Sequence, residues 1–271
     1  MNKKSLFLAV VLSFSFMVSS EQRIEASAND KKDLDGIAKW SYKGEMGPEH
    51  WGDLDPSFIA CKNGKEQSPI NIEYPQVKTT QKLKNFLIDY RTTPFSVVNN
   101  GHTIQANTTE LGNRLIIGEK EYTLSQFHFH DPSEHQLNGQ NFDMEIHLLH
   151  QDEIGNGAVV SVFITEGKEH QTVSSLWRQL RQKSESNKLS VNLLTLLPSN
   201  KTFFHYMGSL TNPPCTENVK WVVLENPIEI SREQIQAFKQ IFGNNHRPVQ
   251  PLNNREIRYG ILEEVKSKTP N

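Results

Sequence analysis

Cysteine is nearly absent from this 271-residue chain: only Cys61 and Cys215 occur. So few thiolates argue against a structural zinc site, which usually closes its tetrahedron with cysteine. In an exported protein an isolated pair is most economically one disulfide, the alternative being two buried free thiols. Excess charge is also missing, with 29 Lys and Arg against 31 Asp and Glu. No basic stripe exists to hold a phosphate backbone, so nucleic acid is excluded as a partner. Long apolar runs are missing too. The one candidate, Leu6 to Val18, is too short for a good membrane span. There is no internal repeat, no low-complexity segment and no Gly/Ser-rich or Pro-rich linker. A His-Glu-x-x-His protease helix is likewise lacking.

What is present begins with a leader. Lys3 and Lys4 precede the apolar run, and Val18 and Ser20 fit the small positions of a cleavage site. Residues 1–20 are therefore expected to be a secretory signal peptide, with Ala26-Ser27-Ala28 as a second cleavage candidate. No cysteine follows the apolar run, so no lipid or other membrane anchor is expected, and the destination is secreted or periplasmic. Residues 21–37 read as a polar leader, 38–265 as one catalytic domain, and 266–271 as a tail.

Short runs separated by turn residues predict strands over Phe86–Tyr90, Phe95–Asn99, Thr103–Asn107, Arg114–Ile117, Tyr122–His130, Asp143–His150, Ala158–Thr165 and Lys220–Leu224. Val173, Leu176, Trp177 and Leu180 make one helical stripe. A second helix is signalled by a Ser231/Gln234 capping box, a core face of Ile235, Phe238, Ile241 and Phe242, and a stop at Gly243. The fold class is mainly β (α+β): a single domain with a large central twisted, mostly antiparallel sheet and a few peripheral helices.

Chemistry concentrates in Gln126-Phe127-His128-Phe129-His130 and Glu145-Ile146-His147. Residues two apart on a strand share a face, so His128 and His130 project together while Phe127 and Phe129 face the opposite way. Glu145 and His147 share a face likewise. Three neutral imidazoles without a fourth protein ligand describe a catalytic zinc site with an open position for water. His150 has the opposite parity to His147 and reads as a satisfied core histidine. His50, His135, His170, His205 and His246 receive no metal role.

These segments, together with Ser133-Glu134-His135, resemble an alpha-class carbonic anhydrase of the exported bacterial type. So do Trp40-Ser41-Tyr42, Gly47-Pro48-Glu49-His50-Trp51, Gln67-Ser68-Pro69-Ile70-Asn71-Ile72, Asn100-Gly101-His102, Gly208 to Pro214 and Arg247 to Leu252, all in the family's order. The resemblance runs from about Trp40 to the final strand near Gly260–Glu263. It implies that His128, His130 and His147 hold Zn2+, with Gln126 and Glu145 orienting the first and third imidazoles. It implies zinc-dependent reversible hydration of carbon dioxide to bicarbonate and a proton, by attack of zinc-bound hydroxide. Carbonic anhydrase is itself the standard example of zinc making water a nucleophile near neutral pH.

By the same resemblance Thr211 is the gatekeeper, Glu134 orients it, and Leu149, Val159, Leu210 and Trp221 wall an apolar substrate pocket. His102 matches the proton shuttle. Cys61 and Cys215 match a disulfide that pins the Thr211 loop. Asn212 stands where the family commonly carries a second threonine, which bears on bicarbonate release and inhibitor affinity. Anions and sulfonamides are the inhibitors the family implies. Two rival readings are a non-catalytic binding module on this fold and a hydrolase acting on esters, the second best placed as a side activity. All three histidines, Thr211 and Glu134 are intact, which weighs against the first.

Overall fold

The computed structural model describes residues 39–181 and 188–265. The expected signal peptide, the whole polar leader and the 266–271 tail lie outside the described residues. Among the described residues no helix is long and apolar enough to cross a membrane.

Among the described residues thirteen strands form one sheet, and a two-stranded ribbon pairs Asn71–Ile72 with Gln136–Leu137. The main path across the sheet runs Lys188–Asn192, Thr92–Asn99, Ile104–Thr108, Lys120–His130, Met144–Gln151, Gly157–Glu166, Glu217–Ile230, Thr202–Ser209, Ile257–Ile261, Val77–Leu83. Pairing is mostly antiparallel, as expected. The central joint of Gly157–Glu166 with Glu217–Ile230 is parallel, as are two joints toward the rim.

The two faces of the sheet are divided by residue parity. One face carries Ile146 and Leu148, Val160 and Val162, and Val222 and Leu224. The opposite face carries Val159, Phe163, Trp221, Val223 and Tyr206. On Lys120–His130 the parity changes once, at a bulge between Leu124 and Gln126. Tyr122 and Leu124 point into the first core before it, and Phe127 and Phe129 do so after it. A one-residue slip turns every following side chain over. Gln126, His128 and His130 thereby come to the second face without exposing either phenylalanine.

Two helices cover the first face, Gln171–Arg181 and Arg232–Phe242. Trp177 packs edge-on to Phe129 at 4.8 Å and stacks on Phe238 at 5.6 Å. Its indole N–H donates to the Gln234 carbonyl at 2.9 Å, so the large ring is buried with its one donor satisfied. The capping box forms as expected, with Ser231 and Gln234 each bonding the other's backbone. Gly243 ends the helix at φ 59°, a conformation that favours glycine. One expectation fails here: Ile241 is 54 % exposed instead of facing the core. Ile235, Phe238 and Phe242 already fill a stripe at i, i+3 and i+7, and Ile241 falls to its side.

Candidate metal centre

His128 and His147 are directly paired across neighbouring antiparallel strands, and His130 sits opposite Glu145. Two residues of each strand thus meet on one face, and the three ligand-capable imidazoles converge with their nitrogens within 4.8 Å of one another. His130 and His147 are buried, and His128 is half-buried.

Each ring is held from behind by an oxygen. His128 Nδ1 donates to Gln126 Oε1 at 2.9 Å, His130 Nδ1 to the Asn245 carbonyl at 2.8 Å, and His147 Nε2 to Glu145 Oε1 at 2.7 Å. An oxygen acceptor behind a ring requires the proton on that nitrogen and leaves the other lone pair free. The free nitrogens are therefore Nε2 of His128, Nε2 of His130 and Nδ1 of His147. His130 Nε2 is buried without a partner, which is costly for a polar atom unless something binds there.

Burial also keeps the rings neutral. It pushes His128 well below the ordinary histidine range, with the neighbouring His130 and His147 adding to the effect. It lowers His130 to about 4 and lowers His147 against the opposing pull of Glu145. Three neutral imidazoles with converging lone pairs and a buried orphan nitrogen fit a zinc ion.

Glu145 is fully buried and collects five donors. Its Oε1 accepts from His147, from His135 Nδ1 at 2.7 Å and from Ser161 Oγ; its Oε2 accepts from the backbone N–H groups of Glu134 at 2.7 Å and His135 at 2.8 Å. Burial raises its pKa, but His135 and His147 together outweigh that and hold it well below the usual carboxylate range. His135, Glu145 and His147 also form a close trio. There, however, His135 Nδ1 is bonded to Glu145 and its Nε2 to Tyr206 Oη at 2.7 Å, so no lone pair remains for a metal.

Glu134 is buried as well, with burial pushing its pKa up to about 7. Its Oε1 accepts the Arg247 backbone N–H at 2.8 Å, and Thr211, itself buried, acts to lower that pKa, while Glu134 Oε2 is buried without a hydrogen-bond partner among the described residues. The Thr211 loop is closed by the Cys61–Cys215 disulfide, so the pair is not two free thiols. Leu149, Val159 and Trp221 are lateral neighbours on three adjacent strands, and Leu210 packs against the same cluster. Asn212 is half-buried beside Thr211, and its carbonyl accepts from Cys215 N at 2.8 Å.

His102 is half-buried and stacks on Trp40 at 3.9 Å with the planes 4° apart. Burial lowers its pKa. His150 lies on the other face, fully buried, with Nε2 at 2.8 Å from Tyr90 Oη. It belongs to the first core and takes no part in the centre.

The residues matched by the eukaryotic-type carbonic anhydrase family are 46–261. The chain belongs to that family. It is 40 % identical over 224 residues to a carbonic anhydrase of Nostoc sp., covering 80 % of this chain and 84 % of that one. It is 42 % identical over 221 residues to a carbonic anhydrase of Neisseria gonorrhoeae, covering 80 % and 86 %. Among solved structures, the alpha-carbonic anhydrase of Thermovibrio ammonificans in complex with sulfanilamide superposes with a TM-score of 0.77 at 41 % identity, over 82 % of this chain and all of that one. The protein is thus an enzyme of the carbonic anhydrase family, a lyase whose family reaction is carbon dioxide hydration.

Two partners of the carbonic anhydrase centre escape a reading of the sequence. Asn245 and Arg247 reach the site through backbone groups, a carbonyl and an N–H, which every residue type possesses. The Arg247-Pro248 motif is the only local signal pointing to them.

Proposed function

We propose that the enzyme hydrates carbon dioxide reversibly to bicarbonate and a proton using a zinc ion held by His128 Nε2, His130 Nε2 and His147 Nδ1. The observation that carries this reading is the set of three oxygen acceptors behind the rings, which leaves three lone pairs directed at one point. Zinc bound there supplies the Lewis acidity that makes water nucleophilic near neutral pH.

The remaining work falls to side chains. Arg247 N–H occupies one oxygen of Glu134, and the other, Oε2, is buried without a partner and serves as the acceptor for the Thr211 hydroxyl. With its proton so committed, Thr211 Oγ1 can only accept, and an accepting oxygen orients the attacking water so that a lone pair faces the substrate. Carbon dioxide is apolar, and Leu149, Val159, Leu210 and Trp221 give it an apolar wall. His102 carries the released proton outward; its partly exposed position suits that role.

Asn212 influences product exit and the affinity of anions and sulfonamides. Sulfonamide binding is supported by the sulfanilamide complex of the Thermovibrio relative. Ester hydrolysis is a side activity of the same centre. Export is supported by the disulfide and by the leader sequence.

The test is carbon dioxide hydration by purified protein with its zinc content measured, before and after a chelator and after re-addition of zinc. Activity should follow zinc at one ion per chain. A zinc-loaded protein without hydration activity, or a chelated one that keeps it, would overturn the reading.

A further inference from the structure

Arg247 is 1 % exposed, yet no carboxylate forms an ion pair with its guanidinium among the described residues. Nη1 donates to Gln67 Oε1 at 2.8 Å and to the Ser68 carbonyl at 2.7 Å, and Nη2 donates to the Cys61 carbonyl at 3.0 Å. The cation also lies 5.7 Å over the Trp51 ring. Burial lowers its pKa to about 10, so it remains charged near neutral pH. Burying an unpaired cation is expensive, and an apolar chain of similar length would fill the space at less cost.

The geometry around it accounts for that expense. Residues 243–250 form no helix or strand, so no ladder of hydrogen bonds holds this strap in place. Its N-terminal half is tied to the histidine strand: Asn245 Oδ1 accepts from Asp131 N at 2.8 Å, and Nδ2 donates to the carbonyls of His102 at 2.9 Å and Phe129 at 3.0 Å. Its C-terminal half is tied to the Cys61–Pro69 segment by the Arg247 guanidinium and by Gln250 N, which donates to the Pro69 carbonyl at 2.8 Å. Between the two ties lies the Arg247 N–H that Glu134 accepts. Gln67 extends the tie, because its Nε2 donates to the Cys215 carbonyl at 3.1 Å. Arg247 and Gln67 together thus link both half-cystine segments to the strap that contacts Glu134.

We infer that Arg247 is a positioning residue for hydration: its guanidinium anchors the 243–250 strap to the Cys61–Pro69 segment and thereby fixes the N–H that holds Glu134 toward Thr211. The inference rests on the role proposed for Glu134. Arg247 touches neither substrate nor metal ligand with its side chain, so its effect passes through Glu134.

A double-mutant cycle tests this. R247M, R247K, E134Q and R247M/E134Q are prepared, with zinc content and melting temperature recorded for each. Both kcat/KM for carbon dioxide and the dissociation constant of sulfanilamide are then measured. R247M should retain zinc and lose activity by on the order of ten- to a hundredfold, the scale of a displaced orienting group. E134Q should lose at least as much, and the double variant should match E134Q within about twofold. R247K should recover part of the loss, since an ammonium can reach one or two of the three acceptors. Sulfanilamide affinity should follow the same non-additive pattern.

Losses that multiply in the double variant would overturn the inference while leaving Glu134's role intact, as would full activity in R247M. Wild-type activity in E134Q would instead sink the Glu134 reading, and this inference with it. If R247M fails to fold, R247K in the wild-type and E134Q backgrounds decides by the same comparison.

Discussion

Glu145→Gln is the most diagnostic single change at the centre, because the amide cannot satisfy what the carboxylate does. The native side chain accepts five hydrogen bonds, three on Oε1 and two on Oε2. An amide offers one accepting oxygen and one donating nitrogen. If the nitrogen takes the Oε2 position, it faces the N–H groups of Glu134 and His135, which cannot turn away. Two buried backbone donors then lose their acceptor, at about 1–3 kcal/mol each, or roughly 2–6 kcal/mol in all.

If the nitrogen takes the Oε1 position, His147 must move its proton from Nε2 to Nδ1 to accept from it. That proton then occupies the lone pair meant for zinc. Loss of such an orienting partner typically weakens metal affinity about 10–100-fold. The variant will adopt the cheaper arrangement, so the two readouts must be taken on the same protein: zinc affinity by chelator competition at fixed pH, and urea unfolding of the zinc-free form. Either affinity should fall at least about tenfold or unfolding free energy by at least about 2 kcal/mol. Wild-type zinc affinity together with a stability loss under about 1 kcal/mol would refute the assignment of Glu145 as the group that sets His147.

His128→Ala, His130→Ala and His147→Ala should each abolish activity and lower zinc occupancy, whereas His150→Ala should keep zinc; metal analysis of the four proteins checks both halves. His150 is buried with its pKa lowered to about 4, so the folded state resists the proton that the unfolded chain takes up near pH 6.5. Stability is then lost as pH falls from about 6.5 toward 4, by up to about 3 kcal/mol, and His150→Gln should flatten that part of an unfolding-versus-pH curve. The disulfide spans 154 residues of sequence, worth up to about 5 kcal/mol in the chain-entropy model; an unchanged melting temperature after verified reduction would remove its stabilising role. His102→Ala should lower kcat in dilute buffer with a much smaller effect on kcat/KM, and added imidazole should restore the rate; equal loss of both constants would make His102 structural.

The histidine cluster was legible because parity and spacing along two strands are local properties. The bulge at Ser125 was not, although it decides which face His128 meets: nothing in Leu124-Ser125-Gln126 marks it, and only the alternation of Phe127 and Phe129 pointed to the right outcome. Thr202–Ser209 escaped notice because its residues are buried on both faces of the sheet, which erases the period of two that identifies a strand. Ile241 misled for a related reason: its hydrophobicity fitted the stripe, but Phe238 and Phe242 leave no room for it in the core. Asn245 lies 115 residues from His130 and holds it by a carbonyl, so side-chain identity carries no trace of the contact.

The two buried carboxylates show how the centre divides its work. Both Glu134 and Glu145 are inaccessible to solvent, and desolvation alone would make each a neutral acid. Glu145 escapes this because five donors converge on it, and it can therefore serve as a permanent anion behind His147. Glu134 has His147, Thr211 and the Arg247 N–H on its side, which together do not overcome burial, and its pKa stays raised. A divalent cation among the three imidazoles would act in the same direction as those groups, toward the ionised form that Thr211 would need as its acceptor. Zinc bound there would support the same state of Glu134 as the strap that presents Arg247, whereas Glu145 needs neither. On the proposed function, the less complete set of donors thus sits on the carboxylate that faces the reaction, and the saturated set on the one that only holds a ligand.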